Sequence, residues 1–281
     1  MIPRRCRAVF LLLIFLLALP AAAQQAAGGR LAILLTNDDG YDAPGLQALI
    51  EAFRPVADVH VAAPASEQSG KGHSITTTRD PIPAQSRRQA DGRVWYAIDA
   101  PPATCVRIAL ENLLPRRPDL VISGINRGEN LGVVVYYSGT LGAAREAALV
   151  GVPAMAVSMR GNDAGDYAAA AAFTRQLVEQ LHAQGKLTAG IFLNVNVPAG
   201  ERKGVDVTRL SVRPTLDRFE QRRSPRGRLY FWSNWEPLRE DEPGTDVHAF
   251  ERGFITVTPM ILDVTDAAGV AALKGMRLTA K

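Results

Sequence analysis

Five short runs, apolar almost throughout, limit what this chain can fold into: Leu31–Leu35, Val59–Ala63, Asp119–Ile122, Pro153–Ser158 and Ile191–Val197. A run that is apolar without alternation is the pattern of a strand buried on both faces. Helical segments separate them. Pro44–Phe53 places Leu46, Leu49, Ile50 and Phe53 at helical spacing, and Thr104–Leu114, Ser138–Leu149 and Tyr167–Gln184 follow. Strand and helix alternating from residue 31 to about 197 predict an α/β fold, a Rossmann-like and mainly parallel sheet with helices on both faces. Beyond residue 200 the pattern changes to Arg-rich, aromatic pieces, VDVTRLSVRP, RLYFWSNW and GFITVTPM. These predict a C-terminal β-hairpin and extension. The reading is one domain over 24–281, with a core of about 31–200 and an accessory region of about 201–281.

The first residues belong to a different argument. MIPRRCRAVFLLLIFLLALPAAAQQ starts with three arginines, continues apolar from Ala8 to Leu19, and ends in Pro20 and small residues. That order is a secretory signal with an Ala-x-Ala cleavage site, placing 1–23 in a signal peptide and the mature start at Gln24. The expectation is an exported, periplasmic protein with no stable membrane span after cleavage. The apolar stretch is short of the ~20 residues that span a bilayer, and an uncleaved anchor is the alternative. Loss of Arg4, Arg5 and Arg7 from 32 basic residues leaves 29 against 28 acidic ones, so the formal +4 reflects mostly the leader. A near-neutral mature chain argues against a nucleic-acid polymer as partner. Cys6 leaves with the leader and Cys105 remains alone, which excludes an intrachain disulfide and a Cys-rich zinc site.

Open parallel sheets bind ligands beyond the carboxyl ends of their strands. The loops expected there are Asn37-Asp38-Asp39-Gly40, Ser66-Glu67-Gln68-Ser69-Gly70-Lys71-Gly72-His73-Ser74, and Ser123-Gly124-Ile125-Asn126-Arg127-Gly128-Glu129-Asn130. Adjacent carboxylates repel, so a cation between them is favoured. Asp38, Asp39, Ser69 and Asn126 supply the oxygen donors a hard divalent ion such as Mg²⁺ or Mn²⁺ prefers. Taken alone, Asp-Asp-Gly is also the composition of a surface turn. Its place after a buried run, with two further oxygen-rich loops at the same edge, argues for one divalent ion per subunit. A fourth element, Tyr136-Tyr137-Ser138-Gly139-Thr140-Leu141-Gly142-Ala143, runs into a helix whose free N–H groups suit a phosphate, although Ser and Thr also begin helices merely as caps. A metal beside an anion-binding helix start predicts phosphoryl transfer to water. His73 then passes a proton to the leaving alcohol, or is an exposed loop histidine.

ILLTNDDGYDAPGLQAL, APASEQSGKGHSIT, PDLVISGINRGENLG and YSGTLGAAREAALVGVPAMAVS resemble, in order and spacing, the SurE family of 5′/3′-nucleotidases, and LNVNVP and TDVHAFERGFITVTP resemble its later blocks. The resemblance covers roughly residues 31–265. It implies a Rossmann-like core with a C-terminal extension exchanged between subunits, giving a homodimer or homotetramer. It further implies a metal-dependent phosphomonoesterase acting on nucleoside 5′- and 3′-monophosphates, in some members on short polyphosphate. Carried over residue by residue, it implies Asp38, Asp39, Ser69 and Asn126 as metal ligands. Asn37 and Ser138-Gly139-Thr140 match phosphate-contacting positions and, with Gly70 and Asn126, make the substrate-binding set; Asp38, Asp39 and His73 are the catalytic one.

Two features depart from that family. Members usually carry an acid after Asn-Leu-Gly, where this chain has Val133-Val134-Val135, leaving room for altered substrate preference or metal affinity. The leader is the other. An exported nucleotide-binding protein without turnover is the alternative reading. A haloacid-dehalogenase-type phosphatase is a poor one, because it needs two aspartates separated by one residue.

Overall fold

The computed structural model describes residues 29–77, 80–161, 163–214, 218–234, 236–276 and 278–279. The expected signal peptide, and Trp235 of the aromatic stretch, lie outside them. In chain order the elements are β1 (Ala32–Thr36), α1 (Pro44–Phe53), β2 (Asp58–Pro64), β3 (Ala84–Arg88), β4 (Val94–Ile98), α2 (Pro102–Ile108), β5 (Leu120–Arg127), α3 (Gly139–Leu149), β6 (Ala154–Met159) and α4 (Ala164–Ala183). They continue as β7 (Phe192–Val197), β8 (Val205–Val207), β9 (Arg218–Arg223), β10 (Leu229–Asn234), α5 (Asp246–Glu251), β11 (Ile255–Pro259) and α6 (Ala267–Lys274).

Nine strands form one sheet in the order β3-β4-β2-β1-β5-β6-β7-β11-β8. The six from β4 to β7 are parallel, and β3 pairs with β4, and β11 with β7, antiparallel. Alternation along each strand divides the core into two layers. Ile33, Leu35, Leu120 and Ile122 pack with Leu46, Leu49 and Phe53 of α1 and Ala170 and Val178 of α4. Leu34 and Val121 face the opposite way, onto Cys105 and Val106 of α2 and Leu141, Ala144 and Ala147 of α3. Burial of Cys105 pushes its thiol well above the ordinary range, so it behaves as a small apolar side chain. From β1 the chain moves to β2 on one side and later to β5 on the other. The crevice between β1 and β5 is therefore the sheet's switch point, where such folds bind ligands.

Three expectations are corrected. Ser123–Arg127, read from sequence as loop, continues β5, with an irregular register against β6 between Ser123 and Asn126. The segment GFITVTPM is no accessory piece: β11 pairs with β7, and β8 joins beyond it. Thr104–Leu114 is not uniform α-helix, because α2 passes into a π-helical turn over Ala109–Leu113. The expected hairpin is present as β9–β10, a separate antiparallel pair with every residue exposed.

Candidate active site

β1 ends at Thr36, and the next three side chains share the switch point. Asn37 is fully buried; its Nδ2 donates to Gly40 O at 2.8 Å, and its Oδ1 has no partner among the described residues. Asp38 is also buried and accepts a 2.6 Å bond from Thr140 Oγ1. Asp39, half-buried, accepts from the Arg127 backbone N–H at 3.1 Å. The strand thus delivers two carboxylates to one point, and α3 and β5 each fix one of them.

The electrostatics of that pair are unfavourable as they stand. Burial pushes the Asp38 carboxyl up to about 6, against the pull of Thr140 and with the help of the neighbouring Asp39 charge. Asp39 is raised by burial too, with Glu67 adding to it and the Arg127 N–H opposing it. A site that holds two acids above their ordinary range has a deficit of positive charge.

Helix α3 supplies part of the answer. Ser138 is its N-cap, its Oγ accepting from Leu141 N–H at 3.2 Å, so the capping role weighed from sequence is the one observed. A Cβ on Gly139 would lie 2.8 Å from Asp38 Oδ2, so only glycine lets the helix start sit directly on that carboxylate. One turn on, a Cβ on Gly142 would lie 2.2 Å from Gly72 O, so the second loop runs flush against the same helix face. Gln68 N–H to Asp38 O at 2.7 Å and Gly72 N–H to Tyr137 O at 2.9 Å complete its attachment.

Of the predicted residues in that loop, Ser69 is exposed and its N–H donates to Glu67 Oε1 at 2.6 Å. Gly70 is exposed, in the left-handed region at φ 72°, with open space around it. Asn126 commits its nitrogen to Gly128 O at 2.7 Å, leaving its amide oxygen free of protein donors among the described residues. The structure therefore gathers Asn37, Asp38, Asp39, Asn126, Ser138, Gly139 and Thr140 around one crevice, with Ser69 and Gly70 on the loop beside it.

His73 points elsewhere. Its Nε2 donates to Glu146 Oε2 at 2.8 Å, and Arg107 Nε donates to the other oxygen at 2.7 Å. These two hold the buried Glu146 carboxyl below its usual range, His73 contributing most. Glu146 is seven residues beyond Gly139 on α3, roughly 10 Å along a helix rising 1.5 Å per residue. The imidazole is engaged two turns from the helix start, where it pins the loop. Sequence reading missed Glu146 and Arg107, and also Glu67; a lone acid in an Ala-rich helix gives no sign of being buried. Among the described residues no three His, Cys, Asp or Glu side chains cluster to hold a metal. The donors here are two carboxylates with amide and hydroxyl oxygens.

Comparison with known proteins agrees with this architecture. The family model described as Survival protein SurE matches residues 33–216. The 5′-nucleotidase SurE of Desulforudis audaxviator is 44% identical over 247 residues, covering 86% of this chain and 96% of the relative. That of Heliobacterium modesticaldum is 46% identical over 239 residues, covering 83% and 87%. The crystal structure of the SurE protein from Aquifex aeolicus superposes with a TM-score of 0.75 at 35% identity, covering 87% of this chain and 98% of that one.

Proposed function

The chain belongs to the SurE family, and we propose on that footing that it is a 5′-nucleotidase releasing phosphate from nucleoside monophosphates with the help of one divalent ion. The observation that carries the metal is the buried Asp38 beside Asp39, pushed up to about 6 by burial, with the neighbouring Asp39 charge adding to it. An all-oxygen donor set of Asp38, Asp39, Ser69 and Asn126 fits Mg²⁺ or Mn²⁺, and lacks the nitrogen and sulfur that zinc or copper select. When bound, such an ion supplies charge neutralisation at the phosphoryl oxygens and makes water a nucleophile near neutral pH.

The chain's own groups do the rest. The start of α3 faces the crevice with its N–H groups and positive dipole end, suited to the phosphate dianion. Thr140 holds Asp38 in place through its hydroxyl, and Gly139 keeps the helix close enough for that contact. Asn37 Oδ1, buried without a partner among the described residues, has its accepting capacity free for a water or a substrate hydroxyl. We assign His73 to holding the 66–74 loop through Glu146, in place of the proton delivery expected from sequence.

Phosphate release from nucleoside 5′- and 3′-monophosphates and tripolyphosphate, with Mg²⁺, Mn²⁺ or chelator, tests the reading. Chelator-sensitive release, strongest with 5′-nucleotides, supports it; release indifferent to chelator removes the metal. Activity on 3′-nucleotides and short polyphosphate is part of the proposal. So is export: the mature protein in the periplasmic fraction, beginning at Gln24, supports the leader, and a cytosolic protein beginning at Met1 refutes it.

Self-association completes the proposal. Phe219, Phe231 and Trp232 on β9–β10 are more than half exposed. An isolated hairpin is marginal in water, and an apolar patch of this kind marks a contact surface. A homodimer or homotetramer built on the hairpin is expected, and light scattering on the eluting protein measures it.

A further inference from the structure

The buried Glu146 carboxylate looks two ways. His73, on the 66–74 loop, holds one oxygen at 2.8 Å, and Arg107, on α2, holds the other at 2.7 Å. The Arg107 side chain is about half exposed, because beside it opens a cavity of about 260 Å³ that Glu146 also lines. This cavity is at the far end of α3 from the crevice. Val150, at its wall, is eleven residues beyond Gly139, roughly 16 Å along a helix rising 1.5 Å per residue. Glu146 stands between the two.

Half of the lining is apolar: Leu110, Leu114, Val150 and Val152. The rest is charged, with Arg107, Arg116 and Arg117 against Glu111 and Glu146. Arg116 is committed, both of its terminal nitrogens closing on the Asp119 carboxylate. Arg107 is shared with Glu146. Arg117 donates to the Val150 carbonyl and has no carboxylate partner among the described residues. Leu110 and Glu111 belong to the π-helical turn that follows α2, an irregularity that recurs at functional sites. Pockets that enclose drug-sized ligands run to ~300–1,000 Å³, and this one is smaller. An apolar half beside a guanidinium without a counter-ion suits one ring or short chain that carries a carboxylate or sulfonate.

We propose that this cavity is a regulatory site for a small organic anion, bound by Arg117 and Arg107, whose occupancy loosens the 66–74 loop. The binding stands by itself, whereas the coupling rests on the metal-dependent nucleotidase reading. An anion on Arg107 draws on the N–H groups that Glu146 uses. Glu146 then keeps His73 alone, and the loop is pinned to a carboxylate that has lost one of its two fixed donors. Ser69 rides on that loop, so a divalent ion at the crevice is held less firmly. Linkage makes the effect mutual: the ion favours the pinned loop and thereby weakens the anion.

Calorimetry on the full chain tests both halves, with benzoate as the probe. Benzoate should bind the metal-free protein, and Arg117→Ala should weaken that binding about tenfold or more, the value of a hydrogen bond to a charged group. Val150→Trp fills the cavity from a partly exposed position and should act alike if Arg117→Ala does not fold. No benzoate binding, or equal binding in wild type and variants, overturns the site. Mn²⁺ titrated with and without saturating benzoate then reads the coupling. Its affinity should fall about fivefold or more in the wild type, the lower end of usual couplings between sites, and stay constant in Arg117→Ala. An affinity unchanged by bound benzoate overturns the coupling. Absence of any Mn²⁺ binding overturns it together with the metal reading, while the benzoate titration still decides the site.

Discussion

The crevice between β1 and β5 and the β9–β10 hairpin obey opposite rules. Around the crevice, three acids are held by residues far away in the chain. Asp38 and Thr140 are 102 residues apart, Asp39 and Arg127 are 88, and His73 and Glu146 are 73. On the hairpin the contacts are local, the two strands pairing with each other and Arg222 with Glu220 two residues away, and nothing is buried. The first region is tied together by long-range contacts within the chain. The second leaves both of its strands exposed.

Asp38→Asn should separate function from stability most sharply. Activity is expected to fall by at least about a hundredfold, because one charge leaves a two-carboxylate site for a hard cation. In chelator the variant should be as stable as wild type or more so. The folded state raises the Asp38 carboxyl from 3.8 to about 6, so it binds the proton more tightly than the unfolded chain does. Stability of the metal-free wild type therefore falls as pH rises from about 4 through about 6, by up to about 3 kcal/mol at 1.36 kcal/mol per unit. Urea denaturation in chelator at pH 4.5 and 7 reads the slope, which Asp38→Asn should flatten. A variant that unfolds would mean the carboxylate is structural.

Gly142→Ala comes next. Its Cβ would meet Gly72 O and C, which are backbone atoms, so the 66–74 loop has to move. Overpacking of this sort costs about 1–3 kcal/mol, and a loop displaced from Asp38 should weaken Mn²⁺ binding as well. A thermal melt with a calorimetric Mn²⁺ titration checks both; unchanged affinity would detach the loop from the metal.

Glu146→Ala should cost about 1.5–3 kcal/mol, the range for hydrogen bonds to a charged group, with Glu146→Gln recovering part of it. The metal concentration for half-maximal activity should rise more than kcat falls. If instead kcat collapses with metal affinity intact, His73 is acting on the substrate and the loop-holding role is wrong.

Smallest of all in stability is Phe231→Ser with Trp232→Ser. Exposed positions change folding free energy by about 0.5 kcal/mol or less, yet the oligomer should shift toward monomer. An unchanged mass in solution would leave the hairpin without a role in assembly.

Much of the core could be read from the chain, and α1 shows why. Proline at its first position and apolar residues at i, i+3, i+4 and i+7 set its limits at Pro44 and Phe53, where the structure also places them. The Asn-Asp-Asp-Gly turn was legible for a similar reason, since a buried strand that ends in two acids has few uses. What stayed hidden depends on distant partners. β5 runs on to Arg127 through glycine and asparagine that read as loop, because β6 continues beside it. β11 is a sheet member only through its pairing with β7, some sixty residues earlier in the chain. Glu146 looks like a solvated helix residue until Arg107 and His73 close over it.

The hydrogen bond between Asp38 and Thr140 also imposes an order in time. The acids are synthesised before the helix that steadies them, which emerges about a hundred residues later. Until then the pair is an open, hydrated turn with little grip on any ion. If the leader is used as proposed, the chain crosses the membrane before that closure, and the site takes shape on the far side. Which divalent ion it first holds is then set by the ionic composition of the compartment in which it folds, rather than of the one in which it is made.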